Sequence, residues 1–369
     1  MGFSRRSLLG LASAVIAWPR RSYADVHALD EGWLTTAGLD KGFGALAMGT
    51  DMTAAPKATT PARLHGIEAS PNSPLAVAVG RRPGHVALVF DRARGGLVSQ
   101  FAPGEGRVFS GHGRFSPDGA LFLTNEIERG IEDGPRRTMG RGMVAVRSVA
   151  GKFEITAEWS TNGDGPHDLM RVGETLVVAN GGIEPHTPEA RDAEVSGSTI
   201  SLLDPASGSI RGEGALSQDL ASLSLRHLAR DGQGGVVVAA QDLLADGVAR
   251  PLLFDIAKDG KLTAYEAPEN ELRALRGYVG SVAIDASGAF VACASPRGGR
   301  VSVWQRNGRY VGAVPLVDGC GLAATPEPGR FIATSGYGEV IVIAAEADGL
   351  GVVARRTGGP RYDNHMVVA

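Results

Sequence analysis

Five of the eight histidines, His65, His112, His167, His227 and His365, hold the same place in a degenerate repeat, each opening a short apolar segment after a polar loop. Neutral imidazole is a ligand for copper, zinc, iron and nickel and a base near neutral pH, so five rings brought together would make a nitrogen-rich centre. The repeat must position them. Leu64-His65-Gly66-Ile67 leads to the apolar run Leu75-Ala76-Val77-Ala78-Val79, and Gly111-His112-Gly113 leads through Ser116-Pro117-Asp118-Gly119 to Leu121-Phe122-Leu123-Thr124. Pro166-His167-Asp168-Leu169 precedes Leu176-Val177-Val178-Ala179, and Arg226-His227-Leu228-Ala229 precedes Val236-Val237-Val238-Ala239. Two further units lack the imidazole: one carries Ser281 before Phe290-Val291-Ala292-Cys293, the other Cys320 before Phe331-Ile332-Ala333-Thr334. The seventh, Asn364-His365-Met366-Val367-Val368, ends the sequence.

Anchors spaced roughly 40 to 60 residues apart fall in the range of propeller blades. Abundant glycine (52 residues) and turn signals such as Pro117-Asp118-Gly119 between short apolar runs predict many short strands and little helix. The expectation is an all-β, seven-bladed β-propeller forming a single domain over residues 25–369. If each histidine-led segment is the inner strand of a blade, the seventh blade takes its other strands from Gly32–Thr36, Gly42–Met48 and Lys57–Ala62. N-terminal strands then pair with the C-terminal strand and leave no free sheet edge at the seam.

In such a ring the inner strands all start on one face, so the five imidazoles should gather around the axis at that mouth. His65, His112, His167, His227 and His365 are therefore candidate metal ligands, with Cys320, which replaces histidine in its unit, as a sixth. Residues near the ends of second strands should surround them, and Arg81, Glu126, Asn180 and Arg297 are candidates to hold a cofactor or a carboxylate-bearing chelate. Five histidines exceed the three or four that one zinc needs, which points to a multi-metal site or to ligands backed by hydrogen-bonded neighbours such as Asp168 and Asp363. Two other roles stay open. Each imidazole could simply brace its own blade by hydrogen bonding, or histidine could serve as base and arginine as clamp in an enzyme acting on a small molecule or chelate.

Residues 1–24 read as a twin-arginine signal: Arg5-Arg6, an apolar stretch to Ala17, and Ser22-Tyr23-Ala24 as a small-x-small cleavage site. The expected location is the periplasm, with no membrane span in the mature chain. A net charge of −3 provides no basic footprint for nucleic acid. The two cysteines, Cys293 and Cys320, could bridge in that compartment, although one lies in mid-strand and the other at the mouth. Hydrolase elbow, phosphate loop and Cys-x-x-Cys-His haem attachment are all missing. The ring of imidazoles makes a copper or iron ion the expected cofactor, and haem stays open.

Several of these segments resemble the motifs of the DUF1513 family: Gly111–Gly119, Gly165-Pro166-His167-Asp168-Leu169, Val178–Ile183, Leu225–Ala229, Gly277–Ala283, Ser295–Gly299 and Asp363-Asn364-His365. They occur in order across nearly the whole mature chain. The resemblance implies an exported protein encoded beside imelysin-like and di-haem-peroxidase-like proteins in iron-acquisition clusters. A metal ion or small metal chelate, and other periplasmic metal-uptake proteins, would then be its partners. The loop after Glu126, through Gly134-Pro135-Arg136-Arg137, departs from the family pattern.

Overall fold

The computed structural model describes residues 32–128, 140–182, 197–244 and 246–369. Residues 1–24, expected above to form a signal, Gly134–Arg137 and His186 lie outside the described residues. Seven four-stranded antiparallel sheets make a ring, the seven-bladed propeller expected from the repeat. Blade 1 is β4 (Leu64–Ala69) to β7 (Leu97–Phe101), and blade 2 is β8 (Arg107–Phe115) to β11 (Glu154–Asp164). Blades 3 to 6 start with β12 (Pro166–Val172), β16 (Leu223–Arg230), β20 (Ser281–Ile284) and β24 (Gly319–Ala324). Blade 7 is composite: β28 (Arg361–Val368) is its inner strand, followed by β1 (Trp33–Gly38), β2 (Phe43–Met48) and β3 (Ala54–Thr60). Among the described residues no helix is long and apolar enough to cross a membrane.

Position within a blade dictates the hydrophobic pattern. Second strands are covered by neighbouring blades on both faces, so runs such as Leu176–Ala179 and Val236–Ala240 are buried continuously. Outermost strands are wetted on one face and alternate, as β27 (Gly349–Arg356) does. Large side chains fill the wedges between blades: Phe109, Phe115, Phe122 and Phe153 between blades 1 and 2, and Trp304 between blades 4 and 5.

At the seam, β28 pairs with β1 antiparallel, Trp33 opposite Val368 and Thr35 opposite Met366. Trp33 is buried, and its indole N–H donates to the Ala324 carbonyl of blade 6 at 3.0 Å. The N-terminal strand is thus tied to both its own blade and the preceding one. Replacing Trp33 with alanine opens a cavity and orphans that carbonyl, and should cost about 3–5 kcal/mol. Val353→Ala, on the exposed face of the outermost strand of blade 6, should cost less than about 1 kcal/mol. Denaturant unfolding of the two variants measures the difference.

Candidate metal centre

Six of the seven inner strands carry a β-bulge at their start. In blade 1, His65 and Gly66 sit opposite the single residue Val79; in blade 2, Ser110, Gly111 and His112 sit opposite Asn125. His167 is the extra residue of blade 3, Arg226 and His227 face Ala239 in blade 4, and Asp363, Asn364 and His365 face Thr36 in blade 7. Cys320 and Gly321 form the bulge of blade 6, while β20, with Ser281, pairs without interruption. A bulge breaks the in-and-out alternation of a strand and re-aims a side chain. Here each bulge that holds a histidine turns the imidazole towards the propeller axis. The backbone irregularity has its own partners: the Thr35 hydroxyl donates to the His365 carbonyl at 2.9 Å, and the Thr36 hydroxyl to the His65 carbonyl at 3.3 Å.

The five rings form one cluster. Ring centres of His65 and His365, His112 and His365, and His227 and His365 are each 4.5 Å apart; His167 lies 4.6 Å from His227 and 5.1 Å from His112. Such proximity demands small neighbours. A Cβ on Gly111, whose φ is +114°, would fall 2.6 Å from the His65 ring, and one on Gly66 would fall 2.6 Å from the Gly111 carbonyl. His65, His112, His227 and His365 each present a ring nitrogen within 4.8 Å of the others, and four buried histidines this close could hold a metal ion. His365 Nε2 is 3.2 Å from His65 Nε2. Two nitrogens on a tetrahedral ion at zinc-like bond lengths sit about 3.3 Å apart, so this edge already has the right span.

Burial shapes the electrostatics. All five imidazoles have pKa values pushed below the ordinary range, primarily by desolvation and then by neighbouring imidazoles and arginines. His365 is lowered to about 4, again by burial first. The rings are therefore neutral at pH 7, the form that binds metals. Among the described residues six buried ring nitrogens make no hydrogen bond: Nδ1 of His65, both nitrogens of His112, of which Nδ1 faces Asp168 at 3.5 Å, Nε2 of His167 and both nitrogens of His227. Rings that merely braced blades would have those atoms paired; a neutral imidazole keeps one lone-pair nitrogen, so His65, His112 and His227 each retain a donor atom for a cation.

His167 falls outside the four-histidine set. Its Nδ1 is 3.4 Å from Nη1 of the buried Arg226. Guanidinium can only donate, so Nδ1 accepts and the proton of the neutral ring lies on Nε2. His167 therefore presents an N–H to the cluster.

An axial cavity of about 840 Å³ reaches His112, His227 and His365 along the inner strands, bounded at its far end by Pro71, Pro117 and Gly173. It thus extends to the face opposite the strand starts, whose turns carry no signal of a binding site in the sequence. Glu68, Arg114, Asp168 and Arg230 put charge along its wall. Asp168 ties three blades together: it accepts from Arg114 Nη2 at 3.1 Å and from the Leu228 amide at 3.0 Å, and lies 3.5 Å from His112 Nδ1. Arg114 also pairs with Glu68 at 3.5 Å, whose pKa burial raises. A sequence signal existed for Arg114, which follows His112 by two residues in the same repeat unit. None singled out Glu68 or Arg226.

Of the other candidates, Glu126, Asn180 and Cys320 have polar groups engaged within or between blades. Glu126 is fully buried inside blade 2, accepting from Arg147 Nη2 at 2.5 Å and the Gly104 amide at 2.8 Å, which occupies its carboxylate. Asn180 spends its amide N–H groups on Ser201 Oγ, Thr199 Oγ1 and the Thr161 carbonyl. The Cys320 thiol donates to the Tyr362 carbonyl at 3.3 Å and packs with Trp33, Met48 and Ile332 between blades, so its bulge braces blade 7 and does not bring sulfur to the imidazoles. Cys293 and Cys320 are both buried and free. Arg81 contributes to depressing the pKa values of His65 and His365, and Arg297 stacks on Tyr278 with 4.6 Å between guanidinium and ring centre.

Fold and site together define a seven-bladed propeller with a buried polyhistidine cluster on its axis. The family model "Protein of unknown function (DUF1513)" matches residues 58–369, and the chain belongs to that family. No curated protein matches it. Among solved structures, one titled Kuenenia stuttgartiensis Hydrazine Synthase superposes with a TM-score of 0.63 at 14% identity, covering 92% of this chain and 100% of that one; the likeness is one of fold.

Two outcomes follow from this geometry. Asp168→Ala removes the nearer carboxylate of Arg114 and strands the Leu228 amide, and should lower stability by about 3 kcal/mol in denaturant titrations. The imidazoles have folded pKa values below the unfolded value of about 6.5, so the unfolded chain binds more protons in acid. Stability of chelator-treated protein should be level above about pH 7 and fall as pH drops below about 6.5, with loss continuing towards the His365 value of about 4. Melting temperatures across that range test the sign.

Proposed function

We propose that His65, His112, His227 and His365 bind one copper or iron ion, and that the protein carries or delivers this metal in the periplasm as an accessory to metal acquisition. The observation that carries this reading is the group of six unpaired imidazole nitrogens, buried and neutral, of which five belong to three rings whose ligand atoms converge. Nitrogen-only donors suit copper, iron, zinc or nickel over calcium or magnesium. Asp168 beside His112 Nδ1 would orient that ring and fix its tautomer. The twin-arginine pattern at Arg5-Arg6 supports export of a folded protein, and family context supports partners in metal uptake. A metal ion held there would supply Lewis acidity or redox chemistry at the head of the axial cavity.

The cavity favours a second reading, in which the same centre acts on a small molecule or chelate. Three imidazoles stand in its wall with Arg114 and Arg230, giving a substrate both a route and a counter-charge.

Protein purified without chelators should contain about one equivalent of copper or iron by elemental analysis. The His112→Ala/His365→Ala double variant should retain less than about a tenth of it, whereas His167→Ala should retain most. A folded wild-type protein that takes up neither metal would overturn the proposal.

A further inference from the structure

Among the described residues three arginines are buried, and their surroundings differ. Arg147 is paired with Glu126 and sits over the rings of Phe101 and Phe109. Arg92 donates to the carbonyls of Ser70 and Ser73. Arg226, only 2% exposed, has no carboxylate partner among the described residues. Its Nη1 meets His167, and its Nε and Nη2 are buried without a hydrogen-bond partner. A guanidinium held this way is costly, because a buried charge needs a counter-charge.

The two unpartnered atoms lie along one edge of the guanidinium. That edge is the one Arg63 uses in this protein to grip Asp363 with two prongs, Nε to Oδ2 at 2.5 Å and Nη2 to Oδ1 at 3.0 Å. It matches two oxygens side by side, as in a carboxylate, carbonate or phosphate. Further positive charge lies near this edge. Tyr278, partly exposed, interacts electrostatically with both Arg226 and Arg63, and the exposed Arg297 stacks on its ring. Arg297 thus touches this ring, and Arg226 and Arg63 lie within its electrostatic range.

We propose that the Nε/Nη2 edge of Arg226 is a binding site for a small oxyanion with two adjacent oxygens, lying beside the histidine cluster. The site goes beyond the metal reading and does not require it. If both hold, a metal arriving with a carboxylate or carbonate ligand would find its cation and its anion recognised by separate groups.

The test uses chelator-treated, full-length mature protein and calorimetric titration with inorganic phosphate, bicarbonate and citrate in separate arms, which distinguish tetrahedral, planar inorganic and carboxylate sources. Wild type should bind at least one of these at one equivalent. Arg226→Gln should weaken that binding about ten-fold or more, and Arg226→Lys, which keeps the charge but loses the fork, should fall between them. The His112→Ala/His365→Ala variant should bind the oxyanion as wild type does while losing metal, so failure of one site is separable from failure of the other. If Arg226→Gln does not fold, the wild-type and lysine proteins carry the comparison. No binding of any probe to wild type at millimolar concentration, or equal affinity in the folded arginine variants, would overturn the proposal.

Discussion

The centre depends on a backbone constraint: a side chain on a regular strand of a propeller faces a neighbouring blade, not the axis. Extra residues at the strand starts break that rule. Where the bulge is present with histidine, in blades 1, 2, 3, 4 and 7, the imidazole reaches the middle; where the strand is regular, at Ser281, nothing polar of that size is sent there. The bulge of blade 6 shows that the backbone device and the ligand are separable, since Cys320 uses the same irregularity to bind the Tyr362 carbonyl of the next blade. Gly66 and Gly111 complete the arrangement by letting two adjacent bulges approach to a distance at which any Cβ would collide.

Drawing five imidazoles together would be self-defeating if they were charged. Burial settles this by holding the rings neutral, and each ring's proximity to the others reinforces it. The consequence is an interior with strong nitrogen donors and little charge of its own. Fixed charge is kept one layer out, in Arg114, Asp168 and Glu68 along the cavity and in Arg226 on the other side of His167. Asp168 belongs to both the structural and the chemical account: it joins three blades, and it stands close enough to His112 to bias its tautomer.

Arg226 also divides the histidines by role. By donating to His167 Nδ1 it leaves that ring with its proton turned towards the cluster, while the remaining four can each offer one ligand nitrogen to a metal ion. Five rings in equivalent places in the repeat are thus chemically unequal, and the difference comes from one neighbouring residue.

The fold was legible in the sequence because propeller repeats are local: apolar second strands such as Leu176–Ala179 and turns such as Pro117-Asp118-Gly119 declare themselves at regular spacing. Blade 7, assembled from both ends of the chain, followed from the need to leave no open edge. The recurrence of histidine at strand starts was legible too. Which of those residues meet was decided by tertiary structure, because a bulge of one or two residues leaves no clear mark in composition yet reverses where a side chain points. Glu126 and Asn180 illustrate the gap: both stand near the axis in sequence register, but their polar groups are consumed within blades 2 and 3. Cys320 was turned aside in the same manner. Sequence spacing sets which strand a residue occupies; the direction of its side chain, and hence its chemistry, depends on local register and on partners hundreds of residues away.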